Sequence, residues 1–381
     1  MWEVLSWMLS IGIMFYVGSR FAFEYLSVDQ YSLNLYAAGL LMFYVLYYVY
    51  TSIPHTLSKP TRNVHKVRSW SMLQYVITSQ CRNTLRITSL SILRLIFTIG
   101  TRLRTFLRPG SQGVAVPVKD FHIPSYWIGS SQLLANFSPK SLDYVILYAH
   151  GGGFCVGNAT MHLPTQLEWI AEVEKRHALV GCIFSLEYDL APECTFPKPI
   201  LQMKEAYEYL INTLHINPSK IILAGDSAGG NLAISSAVRI REAGLPMPAG
   251  MILISPWVDL DSESESGLQN QNFDILTTES LTNWANLYMG KKPLVSGSPL
   301  FADLAGLPPM LIFAGGKELI MDDILEFDRM VTRCGIYVDF VILSDMVHCW
   351  PLIKEFSGDK LHQMATDMIA KFVNNSLSNI F

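Results

Sequence analysis

The segment Lys220-Ile-Ile-Leu-Ala-Gly225-Asp226-Ser227-Ala228-Gly229-Gly230-Asn231 sets a serine between two glycines, where an apolar run ends. In the spacing G-x-S-x-G the serine occupies a sharp strand-to-helix turn and presents its hydroxyl as a nucleophile. Backbones pass close to one another at such a turn, so a Cβ at position 225 or 229 would close it. Upstream, Tyr144-Val-Ile-Leu-Tyr148 leads into Ala149-His150-Gly151-Gly152-Gly153-Phe154. Three glycines after a buried strand leave bare N–H groups facing a cavity. A serine attacking an ester generates an oxyanion, and each fixed N–H donor aimed at it is worth about 3 kcal/mol of barrier. The expected oxyanion hole is drawn from Gly151, Gly152 and Gly153, with Gly152 and Gly153 the natural donors, and Ala228 from the serine turn.

A base and an acid must accompany the serine. His348 follows the apolar run Val341-Ile-Leu and comes last in the chain order serine, acid, histidine that this architecture uses. It is the expected base, taking the serine proton and returning it to the leaving alcohol. His150 has a position that suits shaping of the glycine loop. Glu318 lies just past the run Met310-Leu-Ile-Phe-Ala, where a carboxylate can accept a hydrogen bond from Nδ1–H and fix the imidazole tautomer. Asp322 competes for that role, although Asp322 and Asp323 also suit the first turn of a helix, where acidic residues complement the dipole.

In this order the motifs resemble the hormone-sensitive-lipase-type serine esterases of the α/β-hydrolase superfamily. The resemblance rests on His150 to Phe154, Glu187-Tyr-Asp-Leu-Ala-Pro-Glu193 with Phe196-Pro197, Gly225 to Gly230, Ser255-Pro-Trp-Val-Asp259, Ser298-Pro-Leu300, Gly315 to Asp323, and Met346 to His348. It spans about residues 115 to 375. One departure is Glu318, where the family more often carries aspartate. The resemblance implies an α/β-hydrolase fold, with a mostly parallel, doubly wound sheet and a helical lid. It implies a serine carboxylic ester hydrolase that works through an acyl-enzyme on a hydrophobic small-molecule ester, with no metal or cofactor. The layout also resembles the membrane-anchored arylacetamide and steryl-acetate deacetylases. That likeness implies lipid-like or sterol esters and a place in the endoplasmic reticulum membrane. An arylacetamide-type amidase and an acyltransferase stay open as alternatives. A non-catalytic receptor on this scaffold would lack the working histidine, so His348 argues against it.

The elements that must position these residues alternate as in a doubly wound fold. Strands are expected at Tyr144 to Tyr148, Val180 to Tyr188, Ile221 to Gly225, Gly250 to Ser255, Met310 to Ala314 and Phe340 to Leu343. Helices are expected at Leu163 to His177, Ile200 to Leu214, Asn231 to Ala243 and Met321 to Cys334. The alternation breaks over 261–299, a lid insertion with an amphipathic helix around Thr278 to Met289. The catalytic domain is therefore read as 115–381, after an anchor at 1–53 and a basic region at 54–114. Within the anchor, Leu33 to Ile53 is uncharged over 21 residues, long enough to span a bilayer. Val4 to Gly18 is a second, shorter apolar stretch. Residues 54–119 carry eleven lysines and arginines and no acid. Beside an apolar span, such a block suits anionic lipid headgroups, and Ile87 to Gly100 is expected to lie on the bilayer surface. The overall charge of -4 and the absence of a recognition motif speak against nucleic acid.

Overall fold

The computed structural model describes residue 70 and residues 72–87, 89–107, 114–135, 138–261 and 263–381. Its strands are β1 (Ala115–Pro117), β2 (Ser125–Ile128), β3 (Tyr144–Ala149), β4 (Gly181–Leu186), β5 (Ile221–Asp226), β6 (Gly250–Ile254), β7 (Met310–Gly315) and β8 (Val338–Leu343). Among the described residues they form one sheet in the order β1-β2-β4-β3-β5-β6-β7-β8. β2 runs antiparallel to both its neighbours, and every pairing from β4 to β8 is parallel.

Strands β3 to β7 are buried at every position, which is why each reads as an unbroken apolar run rather than an alternating one. Both faces must then be covered. Alternate residues point to opposite faces: Val145, Leu147, Leu223, Leu253 and Ile312 join one core, and Tyr144, Ile146, Ile222, Ile252 and Leu311 join the other. The helices, in chain order, are α1 (Met72–Ile87), α2 (Leu90–Leu107), α3 (Ser131–Ala135), α4 (Leu163–His177), α5 (Lys198–Glu208), α6 (Ala228–Glu242), α7 (Glu265–Gln269), α8 (Thr278–Met289), α9 (Met321–Arg333) and α10 (Lys354–Leu377). The first core takes Met203 from α5, Leu232 from α6 and Phe327 from α9, and the second takes Trp169 from α4 and Ile369 from α10. Because β3, β5, β7 and β8 are parallel, the glycine loop, Ser227, Glu318 and His348 all leave the sheet at one edge, the carboxyl ends of the strands.

The expected strands and helices past residue 140 are present, with ends shifted by a few residues. β1, β2 and α10 lie outside the expectation. β2 is four residues long and takes its register from β4, a partner about 60 positions away in sequence, so its neighbours in the chain announce nothing. The expected span Leu33 to Ile53 and the stretch Val4 to Gly18 lie outside the described residues. Among the described residues no helix is long and apolar enough to cross a membrane. Over the stretch Ile87 to Gly100, expected to lie on a bilayer surface, α2 packs one side on the protein, with Leu93 buried in the first core and Leu90 and Phe97 against it, and leaves Leu95 and Ile99 exposed.

The close approach at the serine turn is a packing fact with a measurable cost. A Cβ on Gly225 would run into the backbone of Gly229, and one on Gly229 would meet the carbonyls of Ala149 and His150. Gly229→Ala should therefore lower unfolding free energy by about 1–3 kcal/mol. Urea denaturation followed by circular dichroism measures this, and an unchanged midpoint would contradict the contact.

Candidate active site

Ser227 sits between the end of β5 and the start of α6 at φ 52° and ψ -119°, a sparsely populated conformation for a residue with a Cβ. Its neighbours hold it there. Its N–H donates to Ile254 O at 2.9 Å, and its carbonyl accepts from Trp257 N at 3.0 Å and Asn231 N at 3.1 Å. Asn231 is itself fixed, donating from Nδ2 to the carbonyls of Trp257 and Gly297 at 2.9 Å each. The preceding Asp226 is buried. Its Oδ1 accepts from Tyr148 Oη at 2.6 Å and from Gly151 N at 2.9 Å, and His162 Nε2 stands 3.4 Å from Oδ2. Burial alone would raise this carboxyl, but His162 and the Tyr148 hydroxyl outweigh it and hold it below the usual carboxylate range.

The glycine loop after β3 is shaped from beneath. His150 is stacked on Tyr188, with ring centroids 4.4 Å apart, and Tyr188 Oη donates to His150 O at 2.7 Å. Burial pulls His150 down to about 4, which favours the neutral ring, and its Nδ1 lies 2.7 Å from Gly151 O within the loop. Gly152 and Gly153 have φ of 103° and 59°, and a Cβ on Gly153 would overlap the Trp284 ring of α8. The N–H groups of Gly152, Gly153 and Ala228 have no partner among the described residues and lie at the same edge as Ser227. Gly151 differs from expectation: its N–H is taken by Asp226 Oδ1, so it is withdrawn from the set of free donors. The carboxylate preceding the serine was the competing acceptor, and nothing local to Gly151 signals it.

His348 and Glu318 meet as expected. Nδ1 lies 2.9 Å from Glu318 Oε2, with Glu318 fully buried. The other oxygen, Oε1, accepts from Ser255 Oγ at 2.7 Å and from the Gly315 N–H. Ser255 Oγ in turn accepts from Cys349 N at 3.0 Å. Asp322 is occupied elsewhere, its Oδ2 accepting from Ser266 N at 2.7 Å. The Cys349 thiol lies 3.9 Å from Asp226 Oδ2, so the residues adjacent to Ser227 and His348 touch across the gap between β5 and β8. Among the described residues Ser227 Oγ makes no hydrogen bond; such contacts commonly tighten only when substrate binds. Burial pulls His348 down, but the hydrogen bond and charge of Glu318, followed by the charges of Asp274 and Asp226, outweigh it and raise the imidazole above its ordinary 6.5. Ser255 and Asp274 were not singled out from the sequence. Ser255 stands in a quoted motif, and its positive φ of 46° is invisible there.

Two further segments reach this edge. From α2, Arg94 donates to Cys155 O at 2.8 Å and Ala191 O at 2.6 Å and pairs with Glu193 at 2.8 Å. From the 261–299 insertion, α8 brings Trp284 against Gly153 and stacks Tyr288 on Phe154, centroids 3.7 Å apart. The arrangement can carry out nucleophilic attack, proton transfer and oxyanion stabilisation without a metal. A family model described as the alpha/beta hydrolase fold matches residues 146–352. The chain belongs to that family. Within it the chain is an ester hydrolase of hormone-sensitive-lipase type. It is similar to an acetyl-hydrolase of Streptomyces hygroscopicus, 34% identical over 54% of this chain and 67% of that one. It is similar to an esterase of Acinetobacter venetianus, 33% identical over the same shares. It is also similar to a crystal structure of a hormone-sensitive lipase from a metagenome library, 27% identical with a TM-score of 0.68, covering 80% of this chain and 98% of that one.

These findings correct the expected localisation. Among the described residues no helix is long and apolar enough to cross a membrane, and the relatives just named are an acetyl-hydrolase and an esterase, so a place in the endoplasmic reticulum membrane has no support. Within the basic block, Arg82 and Arg94 turn to backbone carbonyls of the protein.

The Glu318–His348 contact fixes the pH behaviour expected of this site. A base must be neutral to act, so kcat/KM should fall as pH drops through the imidazole pKa, with a midpoint above 6.5. Glu318→Gln removes the charge that raises it. The midpoint should then move to lower pH, and kcat should fall on the order of 10⁴-fold. A pH–rate series on both proteins measures this, and an unmoved acid limb would contradict the geometry.

Proposed function

We propose that Ser227 is the nucleophile, His348 the general base, Glu318 the group that orients it, and the amides of Gly152, Gly153 and Ala228 the oxyanion hole. The observation that carries this reading is the 2.9 Å contact of a fully buried carboxylate with His348 Nδ1, beside a strained serine turn. Ser227 Oγ bonds to the ester carbonyl carbon while its proton passes to His348 Nε2. The carbonyl π electrons move onto oxygen, where the three N–H groups hold the charge. Collapse of this intermediate breaks the carbon–oxygen bond to the alcohol, which leaves with the His348 proton. Water then attacks the acyl-serine by the same route in reverse, releasing a carboxylic acid and free Ser227.

The substrate proposed is an ester of a small acyl group on an apolar, lipid-like alcohol, of which a sterol is one form. The acetyl-hydrolase relative supports the small acyl group. So does the space beside the glycine loop, filled by Trp284 and by the Phe154–Tyr288 stack. Residues 72–87, 89–107 and 263–299 are proposed to form the cover over the site, with Leu93, Phe97, Leu276 and Leu281 packing it onto the core. Ser227→Ala should lower hydrolysis of p-nitrophenyl acetate by about a millionfold with an unchanged far-ultraviolet spectrum. Near-normal turnover by a folded variant would overturn the assignment.

A further inference from the structure

Asp274 lies in the 261–299 insertion, outside every motif, and is fully buried. Its Oδ1 accepts from His348 N at 3.0 Å and from Ile275 N at 2.8 Å, and its Oδ2 accepts from Leu319 N at 2.9 Å. One carboxylate thus joins the backbone of the base to the residue directly after Glu318. Its own backbone is held in turn, since Arg82 Nε of α1 donates to Asp274 O at 2.8 Å. The neighbouring Asn270 completes the attachment, donating from Nδ2 to Glu318 O at 2.8 Å.

We propose that Asp274 is a positioning residue for ester hydrolysis, a clamp from the covering insertion that fixes the His348 and Glu318 loops to one another and so sets where the imidazole stands. The proposal rests on the assignment of His348 as base. The need for a carboxylate follows from the donors. Both oxygens face N–H groups, from different loops, so an asparagine would have to turn its own NH₂ toward one of them and lose that bond. A buried N–H left without an acceptor shifts its backbone or stays unsatisfied at a cost.

The charged groups facing His348 are Glu318 from the loop after β7, Asp226 from the end of β5, and Asp274. Arg82 and Glu318 face Asp274. Asp274 differs from Glu318 in meeting the backbone of His348 rather than its ring. Its negative charge nonetheless supports the protonated imidazole, and burial pushes its own carboxyl up to about 6. Asp274→Asn should therefore do two things that loss of stability alone would not. It should lower kcat on the order of 10- to 100-fold at little change in KM, as expected when a reacting group is misplaced by a fraction of an ångström. It should also move the acid limb of kcat/KM to lower pH, since one carboxylate no longer raises His348.

The test uses the full chain, with active sites counted by a fluorophosphonate so that unfolded molecules do not enter kcat. Ser227→Ala serves as the control. A normal kcat and an unmoved acid limb in Asp274→Asn, with Ser227→Ala inactive, would overturn the clamp and leave the nucleophile assignment standing. A Ser227→Ala protein that still turns over would overturn that assignment instead. Should Asp274→Asn fail to fold, Asp274→Glu decides: it keeps the charge but displaces the two oxygens that hold His348 N and Leu319 N, so kcat should fall about 10-fold or more with the acid limb in place, and a normal kcat overturns the proposal.

Discussion

A single buried carboxylate organises this end of the sheet. Taking an ion out of water costs several kcal/mol unless donors replace the lost hydration, and Glu318 has no exposed surface. Its replacements come from three strand ends: the Gly315 N–H at the end of β7, the Ser255 hydroxyl after β6, and His348 Nδ1 after β8. None can withdraw without leaving a charge unsatisfied. The constraint therefore locks three loops in register, and the imidazole tautomer with them. The longer reach of glutamate, where the resembling family more often has aspartate, is accommodated because Oε1 is held by two donors while Oε2 reaches the ring.

A second buried carboxylate does comparable work one strand over. Asp226 ties the end of β5 to Tyr148 and Gly151 of the β3 segment and lies beside His162 of the segment entering α4. It fixes the first glycine of the loop and leaves the next two amides free. Cys349 closes the gap between the two networks, with its N–H on Ser255 and its thiol near Asp226. The imidazole is thus surrounded by negative charge from Glu318, Asp274 and Asp226. That field favours the protonated ring, as the reading of His348 as general base requires when serine attacks. Desolvation of the ring works the other way and is outweighed.

How much of this was legible follows from which interactions are local. The serine turn, the glycine triplet and the strands behind them could be read because local backbone geometry demands particular residues: a Cβ on Gly229 or Gly153 collides with a fixed neighbour, and β3 to β7 are apolar at every position because both faces are covered. Glu318 was readable from its place after a strand, although choosing it over Asp322 required seeing Asp322 on Ser266. Ser255, Asp274 and the diversion of the Gly151 N–H were not readable. Each depends on a partner at least 60 residues away, and a serine or an aspartate in a polar stretch looks the same whether it caps a turn or bonds a distant loop.

The basic region shows the same limit from the side of charge. A run of lysines and arginines beside an apolar stretch suits an anionic surface, yet composition cannot say whether a guanidinium faces outward. Arg94 and Arg82 turn inward. A guanidinium has five N–H donors in a rigid fork, so Arg94 can satisfy the carbonyls of Cys155 and Ala191 together and still pair with Glu193. Arg82 reaches the carbonyl of Asp274 and through it the backbone of His348. Lysine, with a compact ammonium and no fork, could not bridge two carbonyls in this way. In this chain, Arg94 and Arg82 tie the helices preceding the sheet to the glycine loop and to the base.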